Sequence, residues 1–383
     1  MSDKIKVVTV VGTRPEIIKL SRVMAALDEF TDHTIVHTGQ NYDYELNQIF
    51  FDDLGIRKPD HFLEAAGDTA TQTVANVMAK MDKLLATIDK PDAMLVLGDT
   101  NSCMGAYAAK RRKIPIFHME AGNRCFDERV PEEINRRIID HLSDINLVYT
   151  DHARNYLLRE GMDPTRIIKT GSPMGEIFEF YKKNMITCEV LTDLNIKNRG
   201  YFLASLHREE NVDTPERLKT LLAALESVAE TYDKKVVFSV HPRTRKRLEA
   251  LPEWNEKNDR IIFIKPLGFF DYNYMQQKSF CVISDSGTLT EESSILDFPA
   301  VMLRQSHERP EGMDEASVVM ADPENLSKAV NIVVEQLNSR TAPQLTRVDD
   351  YQPLNVSTKV VRLITSYTGY VNRVVWRDYS IEA

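Results

Sequence analysis

Short apolar runs rich in Val, Ile and Leu alternate with longer amphipathic stretches along nearly the whole chain. This alternation restricts the fold more than any other feature. "IKVVTVVG" leads into "RPEIIKLSRVMAALDEF", and "HTIVHTG" into "YELNQIFFDDLG". After the helical "TATQTVANVMAKMDKLLATI" come "AMLVLGD", "IPIFHME" and "INLVYTD", each feeding a helix pattern. Strands that are apolar throughout, rather than on alternate residues, are covered on both faces. Separated by helices, they make a parallel sheet between two helical layers. "RIIKTGSP" closes this series near residue 172, and the polar "LTDLNIKNRG" precedes a second one. There "YFLASLH", "KVVFSVH", "RIIFIKP", "FCVISDSG" and "AVMLR" are the strands. The chain therefore reads as α/β, with two doubly wound Rossmann-like domains at 1–172 and 173–354. A tail helix, about 355–383, is expected to pack back on the first domain.

A chain of 383 residues is long for one core and suits two domains. The formal charge of −9 argues against nucleic acid or an anionic membrane as the main partner. No run is long enough to span a membrane, and the N-terminal run is too short for a signal peptide. Cys103, Cys125, Cys188 and Cys281 are scattered, without the spacing of a metal or redox pair. A cytoplasmic enzyme with reduced thiols and no metal is the expectation.

In open parallel sheets, ligands bind beyond the carboxyl ends of the strands. The unusual residues of this chain fall there. "GTRPE", "GDTNS" and "HMEAGNR" follow strands of the first domain, and "HREEN", "HPR" and "SDSGTLTEE" follow strands of the second. Two such sets facing an interdomain cleft suit a ligand with two chemically different ends. "SDSGTLTEES" is a strand end turning into a helix, with Asp285, Ser286 and Gly287 expected at the cap, where free N–H groups can hold a phosphate. Glu292, about a turn further on, can accept ribose hydroxyls; an ordinary N-cap is the plainer alternative. In "GTRPE", Gly12 allows close approach, Arg14 brings charge and Pro15 starts a helix on which Lys19 lies one turn in. The chain has neither G-x-G nor G-x-x-x-x-G-K-[ST], so phosphate sites without those loops point to a nucleotide-linked substrate such as a nucleotide sugar.

Asp99 in "LGDT", Glu120 in "HMEAG" and Glu132 in "VPEE" supply carboxylates at neighbouring strand ends and the next helix start. Carboxylates that share a partly closed site can divide into acid and base. For Glu132 and Glu133 the plain alternative is i,i+4 pairing with Arg136 and Arg137. His207 ends a strand with Arg208 and Glu210 beside it; His241 is a weaker candidate, equally suited to a phosphate or ribose contact. His, Cys and acidic groups show no metal-ligand spacing.

"VGTRPEIIKL", "LVLGDTNS", "HMEAGNR", "PEEINRRIIDHLSD", "HREEN" and "DSGTLTEES…ERPEG" together resemble, in order from residue 7 to about 315, the non-hydrolysing UDP-N-acetylglucosamine 2-epimerases. The resemblance implies a glycosyltransferase-B type fold, with UDP on the C-terminal domain and the sugar facing the N-terminal one. It also implies inversion at C2 of a UDP-linked 2-acetamido sugar, through a 2-acetamidoglycal, without a cofactor. Arg14, Lys19, Asp99, Glu120, Glu132 and His207 match catalytic or substrate-contacting positions. Asp99, Glu120 and Glu132 are the acid–base candidates, Arg136 matches an arginine of the site, and Ser286, Gly287 and Glu292 match UDP-binding positions. A homodimer is implied too.

The departures from the pattern are specific. "EAGNRCFD" stands for the usual "EAGLRT", "HREEN" for "HRREN", and "DSGTLTEE" for "DSGGxQEE". "GQNYD" and Glu209 replace residues with which some members bind a second, activating UDP-GlcNAc, so the resemblance does not carry that regulation over. "EAGNRCFD", "HREEN" and "GFFDYN" look more like the branch acting on UDP-2-acetamido-2,6-dideoxy-L-hexoses. That branch makes UDP-N-acetyl-L-fucosamine from the L-talo sugar, or L-quinovo from L-rhamno, for capsule or O-antigen. The alternatives are a UDP-GlcNAc/UDP-ManNAc epimerase and, more remotely, a hydrolysing epimerase or a glycosyltransferase of the same fold.

Overall fold

The computed structural model describes residues 4–40, 50–186, 189–252, 254–256, 258–339 and 347–379. The chain divides into two compact units, Met1–Glu179 with Asp350–Ala383, and Phe180–Asp349. These limits differ from the expected 172 and 354 by a few residues. The helix Met174–Phe180 runs beneath Tyr351–Pro353, and a Cβ on Gly175 would lie 2.5 Å from the Tyr351 carbonyl.

In the first unit, β1 (Lys6–Val11), β2 (Asp32–His37), β3 (His61–Phe62), β4 (Ala93–Leu97), β5 (Ile116–Ala121), β6 (Ile145–Val148) and β7 (Ile167–Lys169) form one sheet. Its order is β3-β2-β1-β4-β5-β6-β7, parallel throughout. The residues of β4 and β6 are all buried, as strands between two helical layers must be, and Asn146 is the one polar side chain among them. The helix predicted from "YELNQIFFDDLG" begins outside the described residues, as does most of "GQNYD". The tail forms a helix, Val356–Val374, that buries Val356, Val360, Ile364 and Val371 and packs against the helix Arg14–Phe30. Glu176 holds its start by accepting from Ser357, and Lys359 donates to the Thr170 carbonyl at 2.8 Å.

In the second unit, β8 (Tyr201–Ser205), β9 (Lys235–Ser239), β10 (Ile261–Ile264), β11 (Cys281–Ser284), β12 (Ala300–Met302) and β13 (Val319–Met320) form a parallel sheet of order β10-β9-β8-β11-β12-β13. Apolar side chains fill both of its faces. Both units are thus α/β and Rossmann-like. Each sheet changes its direction of growth once, between β1 and β4 in the first and between β8 and β11 in the second. Among the described residues, no helix is long and apolar enough to cross a membrane.

Candidate active site

At the switch point of the first sheet, the turns leaving β1 and β4 lie side by side at the carboxyl edge. Buried Glu16 ties them together. It accepts from the backbone N–H groups of Gly12 (2.9 Å) and Thr13 (2.7 Å), and from the hydroxyls of Thr13 and Thr100 (2.8 Å each). Burial nevertheless pushes its carboxyl up to about 7. Gly12 admits no side chain, because a Cβ would come within 2.1 Å of both Ser102 Oγ and Thr38 Oγ1. From this turn starts the helix Arg14–Phe30, with Thr13 and Glu16 as its capping box. The Arg14 guanidinium lies 5.4 Å over the Phe50 ring. Lys19 is buried, and its ammonium donates to Glu120 Oε2 at 2.5 Å.

Glu120 owes its direction to the backbone. The register between β5 and β6 shifts between Met119 and Ala121, and Glu120 has φ +62. A bulge leaves a residue out of the ladder and re-aims its side chain. A non-glycine residue in the left-handed region costs conformational energy and persists where its surroundings enforce it. Asp99 follows Gly98, whose φ is +69. Its carboxylate takes a two-pronged contact from Arg136, with Nε at 3.0 Å and Nη2 at 2.6 Å from Oδ2. Arg136 comes from the helix Pro131–Leu142, whose Asn135 also holds the Asp99 carbonyl at 2.9 Å.

Glu132 stands half-buried on the first turn of that helix. Among the described residues it makes no hydrogen bond or ion pair. The i,i+4 spacing suggested a pair with Arg136, but Arg136 turns instead to Asp99 and to Glu133 (3.1 Å). Glu133 does form its i,i+4 pair with Arg137, at 3.2 Å. Beneath the strand ends, His118, Asp140 and Arg124 are fully buried. Asp140 is 3.0 Å from His118 Nδ1 and 2.6 Å from Arg124 Nη1, and accepts from the Gly122 N–H. His118 Nε2 reaches the Gly98 carbonyl at 2.8 Å. Burial would raise the Asp140 carboxyl, yet His118 and Arg124 hold it below its ordinary value.

At the switch point of the second sheet, His207 follows β8 and Asp285 follows β11. Asp285 was expected at a helix cap, but Thr288 occupies that place and Asp285 faces back to the "HREEN" turn. The reason is its burial, where its oxygens need donors. It accepts from the N–H groups of His207 (3.0 Å) and Arg208 (2.9 Å) and from Asn211 Nδ2 (3.0 Å). Its carboxylate also lies 3.1 Å from His207 Nδ1, which engages that ring nitrogen. Burial opposes ionisation of Asp285, but His207, Asn211 and the backbone donors prevail and lower its pKa. The His241 ring is 5.2 Å from the His207 ring; its Nδ1 caps the helix Pro242–Glu249 by accepting from the Arg243 N–H.

The Ser286 N–H is occupied by Ser284 Oγ at 3.1 Å, and its hydroxyl pairs with that of Thr288. Among the described residues, the backbone N–H groups of Gly287 and Thr288 meet no protein acceptor. A Cβ at Gly287 would stand 2.7 Å from Glu308 Oε1. Glu292 is buried and accepts from Gln276 Nε2 at 2.6 Å. The structure therefore gathers Lys19, Asp99, Glu120, Arg136 and Glu132 about one sheet edge, with Arg14 at the start of its first helix. It gathers His207, His241, Ser286 and Gly287 about the other, with Glu292 one turn into the helix. Sequence reasoning passed over Glu16, His118 and the anchoring role of Asp285, and took Glu133 only as a partner for Arg137. Only the adjacency of acids to the quoted turns hinted at them.

Known proteins with this arrangement bear on its chemistry. The model of the UDP-N-acetylglucosamine 2-epimerase family matches residues 25–365, and the chain belongs to that family. It is 36% identical over 341 residues to a UDP-N-acetylglucosamine 2-epimerase of Methanocaldococcus jannaschii, covering 86% of this chain and 93% of that one. It is also 36% identical, over 79% of its length and 84% of the relative's, to a UDP-2,3-diacetamido-2,3-dideoxy-D-glucuronate 2-epimerase of Pseudomonas aeruginosa. The solved UDP-N-acetylglucosamine 2-epimerase of Rickettsia bellii superposes with a TM-score of 0.90 at 49% identity, covering 98% of this chain and all of that one. The M. jannaschii structure with UDP-GlcNAc and UDP gives 0.86 at 34% identity, over 94% of this chain and 100% of that chain.

Proposed function

We propose that the protein inverts C2 of a UDP-linked 2-acetamido sugar by eliminating UDP and adding it back. The carrying observation is the set of three carboxylates at one sheet edge, two held by buried or nearly buried cations and Glu132 with no ion pair among the described residues. The C1–O bond breaks with its electron pair leaving on UDP. The C2–H pair becomes the second bond of a C1=C2 alkene, and a carboxylate takes the proton. Departure of UDP is what acidifies C2, because positive charge builds at the neighbouring carbon. Return of a proton to the opposite face, with re-addition of UDP, gives the epimer.

In this reading Asp99, Glu120 and Glu132 share acid and base work. Lys19 sets Glu120, Arg136 sets Asp99, Arg14 is a substrate contact, and His207 is a further catalytic group. The turn at Ser286 and Gly287 offers N–H groups to phosphate, His241 stands beside His207, and Glu292 takes the ribose. Donors fixed in advance where charge develops contribute most when water is excluded.

For the substrate, the proposal is a UDP-2-acetamido-2,6-dideoxy-L-hexose: L-talo to UDP-N-acetyl-L-fucosamine, or L-rhamno to L-quinovo. "EAGNRCFD", "HREEN" and "GFFDYN" support it. The product would serve capsule or O-antigen synthesis, with the enzyme a cytoplasmic homodimer. The second reading is the UDP-GlcNAc/UDP-ManNAc pair, favoured by the descriptions of the M. jannaschii and R. bellii proteins. The P. aeruginosa relative is described with a differently substituted sugar, so membership alone does not choose among them. The test offers each UDP-sugar pair in deuterated water and follows C2 by NMR. The expected outcome is one deuterium at C2 of the product, fastest with the 6-deoxy-L pair; turnover without solvent label rejects the mechanism.

A further inference from the structure

Glu133 belongs to none of the expected catalytic positions, yet its side chain is fully buried and every contact of its Oε2 leads toward the carboxylate set. Its Oε2 accepts from Arg136 Nη1 at 3.1 Å, from the Cys125 backbone N–H at 3.1 Å and from the Cys125 thiol at 3.3 Å. Through Nε and Nη2 the same Arg136 grips Asp99. Cys125 lies five residues past Glu120 on the segment leaving β5, and Glu132 is the adjacent residue on the helix. Burial opposes the charge on Glu133, but the Cys125 and arginine donors outweigh it and keep the carboxyl below its usual range.

We propose, building on the epimerase reading, that Glu133 is the positioning residue of the proton-transfer site: one carboxylate that keeps Asp99, Glu120 and Glu132 in mutual register. Arg136 alone has donors enough to swing between acids. With Glu133 occupying Nη1, the remaining edge of the guanidinium presents a single fixed fork to Asp99. With Cys125 tied to the same oxygen, the segment after Glu120 cannot drift from the helix that carries Glu132. The Arg137 contact on the other oxygen is different in kind. That guanidinium is 41% exposed, and its further partner Glu128 is 79% exposed, so screening leaves it little influence.

The elimination and the return of the proton need acid and base at matched distances from one carbon. A site loosened by a fraction of an ångström releases its intermediate before reprotonation. Glu133→Gln is therefore expected to lower kcat by roughly 10- to 100-fold with KM within about threefold, since misplacement on the order of 1 Å costs about that much. Free UDP and glycal released per epimerisation should rise about tenfold, a partition that a merely structural residue would not alter. Glu133→Asp keeps the buried charge, and with it the fold, but shortens the reach; it should show the same leakage to a smaller extent. Arg137→Ala should stay near wild type. The wild type is run alongside in deuterated water, and its failure to epimerise would remove the underlying reading rather than this one. With an active wild type, normal kcat and leakage in both Glu133 variants would overturn the proposal. So would an Arg137→Ala loss as large as that of Glu133→Gln.

Discussion

The two switch points solve opposite problems. At the first, charged groups satisfy one another: Lys19 with Glu120, Arg136 with Asp99 and Glu133, His118 and Arg124 with Asp140. At the second, one buried acid, Asp285, gathers the backbone of the "HREEN" turn, while the N–H groups of Gly287 and Thr288 have no acceptor among the described residues. A set that is already paired is suited to holding geometry through a reaction. A set that leaves donors over is suited to taking an anion. The family's chemistry asks for both, and the comparison shows how one repeated architecture divides them.

Changes at the first edge should strike turnover and spare nucleotide binding. Asp99→Asn or Glu132→Gln is expected to lower kcat by about 10³-fold or more, as loss of a proton-transfer group does, with UDP affinity by calorimetry within about twofold. Wild-type rates in both variants would break the division. At the second edge the largest effect should be on stability. Asp285→Asn leaves donors facing an amide and is expected to cost about 3 kcal/mol near neutral pH, as disruption of a buried charge does. The sign with pH follows from its lowered folded value. The stabilisation is present above the unfolded aspartate value, about 3.9, and is lost as pH falls through the lower folded value. Urea titrations should thus show the gap between wild type and Asp285→Asn closing below about pH 4. The smallest change is Gly287→Ala, whose Cβ would meet Glu308 Oε1 at 2.7 Å. UDP binding should weaken by about tenfold with kcat at saturation little changed, in keeping with a ground-state contact.

The fold was legible because burial on both faces leaves a plain mark: β4 reads as an unbroken apolar run, and β6 is interrupted only by Asn146. β3 and β13, two residues each, leave no such mark and were not predicted. The carboxylates were legible as acids following strands, since strand ends are where polar side chains need a purpose. Their partners were not. Arg136 is close in sequence to both Glu132 and Glu133, and spacing alone favoured Glu132. A strand end 37 residues upstream, carrying Asp99, decided the matter. Nor does any local pattern announce that Glu120 takes a positive φ, because the bulge arises from pairing between β5 and β6.

The helix Val356–Val374 belongs to the unit that begins the chain and lies against the helix bearing Lys19. During synthesis, then, the opening lobe emerges first and waits for its final brace while the whole second lobe is translated. Domains emerging from the ribosome normally settle in order; here the earliest-made lobe is the last to be finished. A stop codon or a bulky fusion near residue 356 is accordingly expected to disturb the edge that carries Lys19 and Glu120 before the turn at Ser286 and Gly287, which is nearer in sequence.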